Sequence, residues 1–257
     1  MKVISYSLFG DPDSFEFPFY LRGIYFNARM NRLLYPDWQT HVAYSSKLHL
    51  GDFFGILNSR YDISISAPNI YNHYNNDKCR MMLWRLFPVF EVGVTHVLSR
   101  DTDAITTYRE SKSVERWLKS GMGYHGINDD QAHSIPMMGG MIGIKTDHFK
   151  RDFPEFKSWN NLIGNSKLST HGTDQDLLMK KIYPRIGGKN LYWDRNPLQQ
   201  RDNPIWESDL TCRMIGSPGV VDFELLRFFK RFDPKGEAIN DDLRKLSPDV
   251  RKHFYWL

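Results

Sequence analysis

Cysteine is nearly absent from this chain: Cys79 and Cys212 are the only two in 257 residues. They stand far apart and form no C-x-x-C pair, which excludes a paired-cysteine zinc site and argues against a disulfide framework. We therefore expect a reducing compartment and assign the protein to the cytoplasm. The first residues turn polar too early for a signal peptide, and no apolar run approaches the length of a membrane span.

Long runs of one charge are also missing. The net charge is +4 and the sequence pI is about 8.9, which suits anionic ligands such as nucleotides but falls short of the dense basic stripe of many nucleic-acid binders. Apolar residues make up 41% of the chain, enough for a sizeable core, and the 14% of aromatic residues also suggests stacking surfaces. Without repeats, linkers or low-complexity tracts, we expect one core over residues 1–200 with a C-terminal extension over 201–257 packed on it.

Strand-like and helix-like patterns alternate over the first hundred residues. Strands are predicted at 2–8, 40–45, 62–66 and 94–98, with helices at 18–34, 47–60 and 77–90 between them. Further on, helices are predicted at 107–120, 154–163 and 173–183, and strands at 135–145 and 190–193. This alternation predicts an α/β fold whose central sheet is mixed, mostly parallel and flanked by helices. Ligands of such sheets bind outside the carboxyl ends of the strands.

Two aspartates, Asp101 and Asp103, directly follow the predicted strand 94–98. Two carboxylates on a rigid strand end are suited to a hard divalent cation, Mn²⁺ or Mg²⁺, with positions left open for phosphate oxygens. The alternative is a pair of solvated turn or helix-capping residues, because D-x-D also occurs by chance. Arg80, Arg85 and Arg100 are candidate phosphate contacts, since guanidinium binds phosphate in a bidentate manner; ordinary surface salt bridges are the alternative for each.

Three other polar groups carry weaker signals. His125, Asp129, Asp130 and His133 form either a substrate-contacting loop, a plain polar loop or, with no recognised spacing, a metal site. Asp174 and Gln175 open a predicted helix, where Asp174 either orients an acceptor or sugar hydroxyl or, with Gln175, simply accompanies an N-cap at Thr173. Asp194 follows the last predicted strand as a possible third metal ligand or as a turn residue.

Taken in order, these motifs resemble GT-A-fold, DxD-type nucleotide-sugar glycosyltransferases related to bacterial and viral polysaccharide-type transferases. The resemblance spans about residues 2–195, and its most specific part is R-D-x-D at 100–103, then Gly139-Gly140, then Asp174-Gln175. It implies a GT-A (Rossmann-like) single domain, with the cation on Asp101 and Asp103. It implies donor contacts at the following positions: Ser7, Leu8, Phe9, Trp84, Arg85, Arg100, Gly139, Gly140 and Gln175.

The chain departs from the family pattern at two places. Asp130-Gln131 stands where the family usually has His-Pro, and no histidine follows the last strand, so Asp194 is the candidate substitute ligand. The resemblance leaves open whether the reaction retains or inverts configuration. An inverting reaction needs a carboxylate base near the acceptor hydroxyl, and Asp174 and Asp129 are the candidates.

The resulting expectation is a metal-dependent hexosyl- or pentosyltransferase that moves a sugar from a nucleotide-sugar, with a UDP-sugar favoured, to a hydroxyl acceptor. The acceptor is a glycan by default, or alternatively a hydroxymethylated base in viral DNA. Two alternatives come from other classes: a metal-dependent nuclease or phosphohydrolase using the same acidic pair, and a non-catalytic sugar-binding protein. No obligatory protein partner is evident.

Overall fold

The structure, a computed structural model, describes residues 1–45, 47–66, 78–128, 135–164, 166, 172–195 and 244–254. Several predictions therefore fall outside the described residues, namely those for Asp129, Asp130, His133, Cys212 and most of the extension 201–257. Among the described residues, no helix combines the length and apolar character needed to cross a membrane.

Seven strands and nine α-helices are described. The strands are β1 (Lys2–Leu8), β2 (Trp38–Tyr44), β3 (Ile63–Ser66), β4 (His96–Arg100), β5 (Tyr124–Ile127), β6 (Met141–Lys145) and β7 (Leu191–Asp194). The helices are α1 (Phe17–Leu34), α2 (Gly51–Tyr61), α3 (Lys78–Met82), α4 (Tyr108–Ser120), α5 (Thr146–Asp152), α6 (Trp159–Ile163), α7 (Thr173–Lys181), α8 (Tyr183–Ile186) and α9 (Pro248–Arg251). Two 3₁₀ helices span Leu83–Phe90 and Lys252–Phe254.

The strands form one sheet in the order β3-β2-β1-β4-β6-β5-β7. β1 pairs in parallel with both β2 and β4, and β2 pairs in parallel with β3. β6 is antiparallel to β4 and β5, whereas β5 and β7 are parallel. The predicted α/β class and the mixed, mostly parallel sheet are thus confirmed, and the carboxyl ends of β1, β4 and β7 lie at one edge.

Each face of the sheet carries its own core, because successive side chains on a strand point to opposite faces. On one face Ile4, Tyr6 and Leu8 pack with α1, α2 and α4. On the other face Val3 and Val97 pack with the 3₁₀ helix 83–90 and with α5, α6 and α7. The sheet is therefore covered on both sides, and its edges at the strand ends are where a ligand can enter.

Helix α1 is locked against the loop that carries the aspartate pair. A Cβ on Gly23 would lie 1.7 Å from the carbonyl oxygen of Thr102, so only glycine permits this approach. The buried Asn27 side chain donates to the carbonyl oxygens of Thr102 and Ala104 at 3.3 and 3.0 Å and accepts from the Thr106 N–H at 2.9 Å. These bonds fix the loop after β4 from the side of α1.

Part of the C-terminal segment, within residues 244–254, packs on this core. Leu246 and Val250 are buried in the same cluster as α1 and α2. The His253 ring lies edge-on to Phe17 with centroids 5.4 Å apart. The boundary at residue 200 remains a prediction, since the residues around it are outside the described part.

Two local predictions were wrong, and a third was half confirmed. Residues 124–127 form the buried strand β5 rather than the start of a polar loop. The pattern T-x-x-E at 107–110 predicts a capping box at the start of α4, and half of it is made: the Thr107 hydroxyl accepts from the Glu110 N–H at 3.2 Å, but the Glu110 carboxylate turns to Arg100. Helix α7 is capped by Gly172, with its backbone in the left-handed region at φ 84°, and not by the side chain of Thr173.

Candidate active site

A cavity of about 500 Å³ opens at the carboxyl ends of β1 and β4. It is lined by residues from three distant parts of the chain: the loop after β1, the segment 79–103, and the segment that contains Met138 and the start of α7. Eight residues predicted from the sequence line it, namely Ser7, Phe9, Arg85, Asp101, Asp103, Gly140, Asp174 and Gln175.

Arg85 occupies the base of this cavity between two carboxylates. Its guanidinium pairs with Asp101 through Nη1, and its Nη2 lies 2.7 Å from Oδ2 of Asp174. Burial by itself would lower the pKa of Arg85, but the two carboxylates outweigh it and raise the pKa above its ordinary value. The Arg85 backbone N–H donates to the Ser7 hydroxyl at 2.8 Å, so β1 also holds this residue in place.

The carboxylate of Asp174 is buried but only half satisfied. The residue is 1% exposed, and its Oδ1 has no hydrogen-bond partner among the described residues. Because leaving a buried carboxylate oxygen unpartnered is costly, and because Asp174 lines the cavity, a hydrogen-bond donor that reaches this oxygen would be favoured.

Gly139 and Gly140 make room for these charged groups. A Cβ on Gly139 would lie 2.2 Å from Oδ2 of Asp174, and one on Gly140 would lie 1.8 Å from Oδ2 of Asp101. The Gly139 carbonyl accepts a hydrogen bond from the Ser99 hydroxyl at 2.6 Å, which pins this segment to β4. The chain's own carboxylates thus approach the paired glycines closely.

Asp101 and Asp103 fit a divalent cation by their chemistry. Both line the cavity, and burial followed by the charge of Asp101 raises the pKa of Asp103 above its ordinary value. Two carboxylates that repel each other in this way favour a bound cation between or beside them. Among the described residues, no group of three His, Cys, Asp or Glu side chains converges as a ready-made metal site.

Four residues predicted to contact the donor are not among those that line the cavity: Leu8, Trp84, Arg100 and Gly139. Leu8 and Trp84 are buried in the cores on the two faces of the sheet. Arg100 points into the protein, where its Nε lies 2.6 Å from Oε1 of Glu110 and its Nη1 donates to the carbonyl oxygen of Ile142 at 2.8 Å. The reason is the alternation along β4, which puts Arg100 on the α4 face while Asp101 lies beyond the strand end.

Asp194 also lies apart from the aspartate pair. Its Oδ2 accepts from the Ser113 hydroxyl at 2.6 Å and pairs with Arg116 at 2.6 Å. The Ser113 hydroxyl oxygen is 3.0 Å from Nε2 of His125, whose ring stacks on Trp117. This cluster joins α4 to β5 and β7 and does not line the cavity, so His125 serves here as a buried packing group rather than as part of a substrate loop.

The buried His125 predicts a loss of stability as pH falls. The Ser113 hydroxyl donates its hydrogen bond to Asp194, so Nε2 of His125 donates to the Ser113 oxygen, and Nδ1 of His125 has no hydrogen-bond partner among the described residues. Burial lowers the pKa of His125 well below its ordinary value. The unfolded chain therefore takes up a proton below about pH 6.5 that the folded chain does not, and stability falls by up to about 1.4 kcal/mol per pH unit from this residue.

Urea unfolding of the native chain and of His125→Gln between pH 7.5 and 5 measures this contribution. The native chain also contains His41 and His96, whose pKa values burial lowers to about 4. The contribution of His125 is therefore the difference between the two proteins in the slope of unfolding free energy against pH. We expect a shallower pH dependence of stability for His125→Gln than for the native chain. Equal slopes for the two proteins would refute the assignment.

The sequence reasoning missed a group of cavity residues on the loop after β1 and the first turn of α1. Asp11, Ser14, Glu16 and Tyr20 all line the cavity. A signal was present, because this loop directly follows a predicted strand end, where ligands of parallel sheets bind.

Comparisons with known proteins give fold likenesses at low sequence identity. No protein-family model and no curated protein matches the chain. Among solved structures, similar folds occur in a glycosyltransferase involved in glycosylation of the major capsid of PBCV-1 (TM-score 0.46, 13% identity, 76% of this chain and 81% of that one). A second is a 4-diphosphocytidyl-2C-methyl-D-erythritol synthase from Anaerococcus prevotii DSM 20548 (TM-score 0.47, 7% identity, 80% of this chain and 93% of that one). A third is a protein provisionally described as a nucleotide-diphospho-sugar transferase from Desulfovibrio desulfuricans G20 (TM-score 0.47, 11% identity, 92% of this chain and 99% of that one). At TM-scores below 0.5 these likenesses carry no function over to this chain.

Proposed function

We propose that this chain is a metal-dependent glycosyltransferase that moves a sugar from a nucleotide-sugar, with a UDP-sugar favoured, to a hydroxyl acceptor. The observation that carries the proposal is one cavity at the carboxyl ends of parallel strands that holds Asp101, Asp103 and the Arg85–Asp174 pair together. If these residues served only as turn formers or as packing groups, there would be no reason for their charged side chains to line one cavity.

The charge of the cavity supports a requirement for a cation. Its described lining residues include five carboxylates, those of Asp11, Glu16, Asp101, Asp103 and Asp174, but a single basic side chain, that of Arg85. A diphosphate would be repelled by such a surface unless a cation came with it. Asp101 and Asp103 would hold Mn²⁺ or Mg²⁺, which when bound neutralises the charge on a departing nucleoside diphosphate.

Asp174 is assigned to the sugar side of the reaction. Its unpartnered Oδ1 is suited to accept a hydrogen bond from a hydroxyl of the donor sugar or of the acceptor, while Arg85 holds Oδ2 in place. If the reaction inverts configuration, the same oxygen is the candidate base for the acceptor hydroxyl. Asp129, the other candidate base, remains a prediction because it lies outside the described residues.

Release of nucleotide from a panel of UDP- and GDP-sugars in the presence of Mn²⁺ tests this assignment without a known acceptor, because slow transfer to water suffices. We expect one donor to be selected and Asp174→Asn to lower its release at least about 100-fold. Asp176→Asn is the matched control: it lies on the same helical turn, but its side chain is 65% exposed and pairs with Lys180.

Two results would overturn the proposal. Equal release by Asp174→Asn and Asp176→Asn would remove Asp174 from the site. Cleavage of a simple phosphodiester, with no release from any sugar nucleotide, would favour the nuclease or phosphohydrolase alternative.

A further inference from the structure

Two phenylalanine rings project from the loop and helix that form one wall of the cavity. Phe15 is 85% exposed and Phe19 is 38% exposed, and their rings meet edge-to-face with centroids 5.7 Å apart. The guanidinium of Arg22 lies over the Phe19 ring at 5.0 Å. We refer to Phe15 and Phe19 together as the aromatic ledge.

The ledge is continuous with the cavity. Ser14 and Glu16, which flank Phe15 in the chain, both line the cavity, and so does Tyr20 directly after Phe19. Tyr20 is also close enough to Asp103 for the charge of that carboxylate to help raise the pKa of Tyr20, after burial. Phe15 therefore belongs to a segment whose chain neighbours on both sides line the same cavity as the aspartate pair.

The loop presents Phe15 in a fixed position. The Asp11 side chain accepts from the Asp13 N–H at 3.0 Å, and the Asp11 carbonyl accepts from the Ser14 N–H at 3.0 Å. The Phe17 N–H then donates to the Ser14 hydroxyl at 3.3 Å, which leads into α1. A ring that is exposed but held by an ordered turn is preorganised to bind a ligand.

The polar groups around the ledge select the kind of ligand. Asp11 and Glu16 are exposed carboxylates, which only accept hydrogen bonds and repel anions. The phosphates of a nucleic acid also only accept, and they are anionic, so a DNA strand is the poorest match to this surface. A sugar ring matches both features, because its hydroxyls donate to carboxylates and its C–H face packs on an aromatic ring.

We propose that the aromatic ledge is the acceptor subsite, and that the acceptor is an uncharged saccharide whose ring stacks on Phe15. This inference rests on the proposed function, since it names the acceptor of that reaction. It decides between the two acceptors left open by the sequence in favour of a glycan over a hydroxymethylated base in DNA.

Saturation-transfer NMR on the intact chain tests the proposal with three probes: a panel of methyl glycosides, UMP, and a duplex containing 5-hydroxymethylcytosine. We expect at least one glycoside to bind through its ring protons. Its affinity should fall about tenfold in Phe15→Ala and return in Phe15→Trp. Leu33→Ala is the control, because Leu33 is also an exposed apolar residue of α1 but lies about 24 Å along the helix axis from its start.

The outcomes separate the possible occupants. Binding of no glycoside, or equal glycoside binding by the native chain and Phe15→Ala, overturns the proposal. So does a loss in Phe15→Ala of UMP binding alone, which would place Phe15 at the nucleoside, or binding of the duplex through Phe15. None of these measurements depends on donor turnover, so failure of the acceptor subsite can be told apart from failure of the proposed function.

Discussion

Replacement of Arg85 by methionine is expected to destabilise the folded protein by about 3–5 kcal/mol, because it removes the guanidinium that pairs with the carboxylates of both Asp101 and Asp174. Asp174 is the costlier of the two, since it is 1% exposed and would lose its only described partner for Oδ2. Asp101 is partly exposed and can turn to solvent. Arg85→Lys should fall between methionine and the native chain, because a lysine can reach one carboxylate but cannot bridge both.

Urea unfolding at pH 7 measures these free energies, with Arg32→Met as the control. Arg32 is an exposed arginine near the end of α1, and its replacement should change stability by no more than about 0.5 kcal/mol. If Arg85→Met does not fold, Arg85→Lys still provides the comparison. A loss of less than about 1 kcal/mol for Arg85→Met, together with a native-like Arg85→Lys, would mean that the buried pair does not hold this site together.

Replacement of Gly140 by alanine is expected to abolish donor turnover while leaving the fold intact. The added Cβ would lie 1.8 Å from Oδ2 of Asp101, so the carboxylate must move. Since Asp101 is 39% exposed, it can swing away without unfolding the chain. Misplacement of an active-site group by about 1 Å can cost about 100-fold in rate, and we expect at least that loss of nucleotide release.

Gly55→Ala is the matched control for this substitution. Gly55 lies inside α2, and a Cβ there would meet nothing within 4 Å. Alanine at this position should stabilise the helix by about 0.5–1 kcal/mol and leave nucleotide release unchanged. If Gly140→Ala keeps full release with a normal urea midpoint, the position of Asp101 is not important for turnover.

The aspartate pair was predictable because its signal is local. An apolar, β-branched run followed by two aspartates indicates a strand end with charge on it. The observed strand β4 starts two residues later than predicted, at His96, but the pair still follows its end. Arg85 and Asp174 were also predicted as site residues, although their mutual ion pair follows only from the three-dimensional arrangement of the 3₁₀ helix and α7.

What the sequence could not predict depends on contacts between distant residues. Arg100 looked like a phosphate ligand because nothing local shows that Glu110 would leave its capping position to pair with it. β5 was missed because His125 is polar, and its burial becomes possible only through Ser113 and Trp117 on α4. The part played by the loop after β1 was missed for the same reason, since its turn residues meet the aspartate pair only through the docking of α1.

The Mn²⁺ dependence of nucleotide release, compared between the native chain and Asp103→Asn, tests whether Asp101 and Asp103 hold a divalent cation that the reaction needs. Asp37→Asn serves as the control, because its side chain is 80% exposed and lies outside the cavity. We expect chelator to abolish release and Mn²⁺ to restore it, both in the native chain and in Asp37→Asn. Asp103→Asn should need at least about tenfold more Mn²⁺ or show no release. Release that persists in chelator, or an unchanged Mn²⁺ requirement in Asp103→Asn, would contradict a divalent cation held by the aspartate pair.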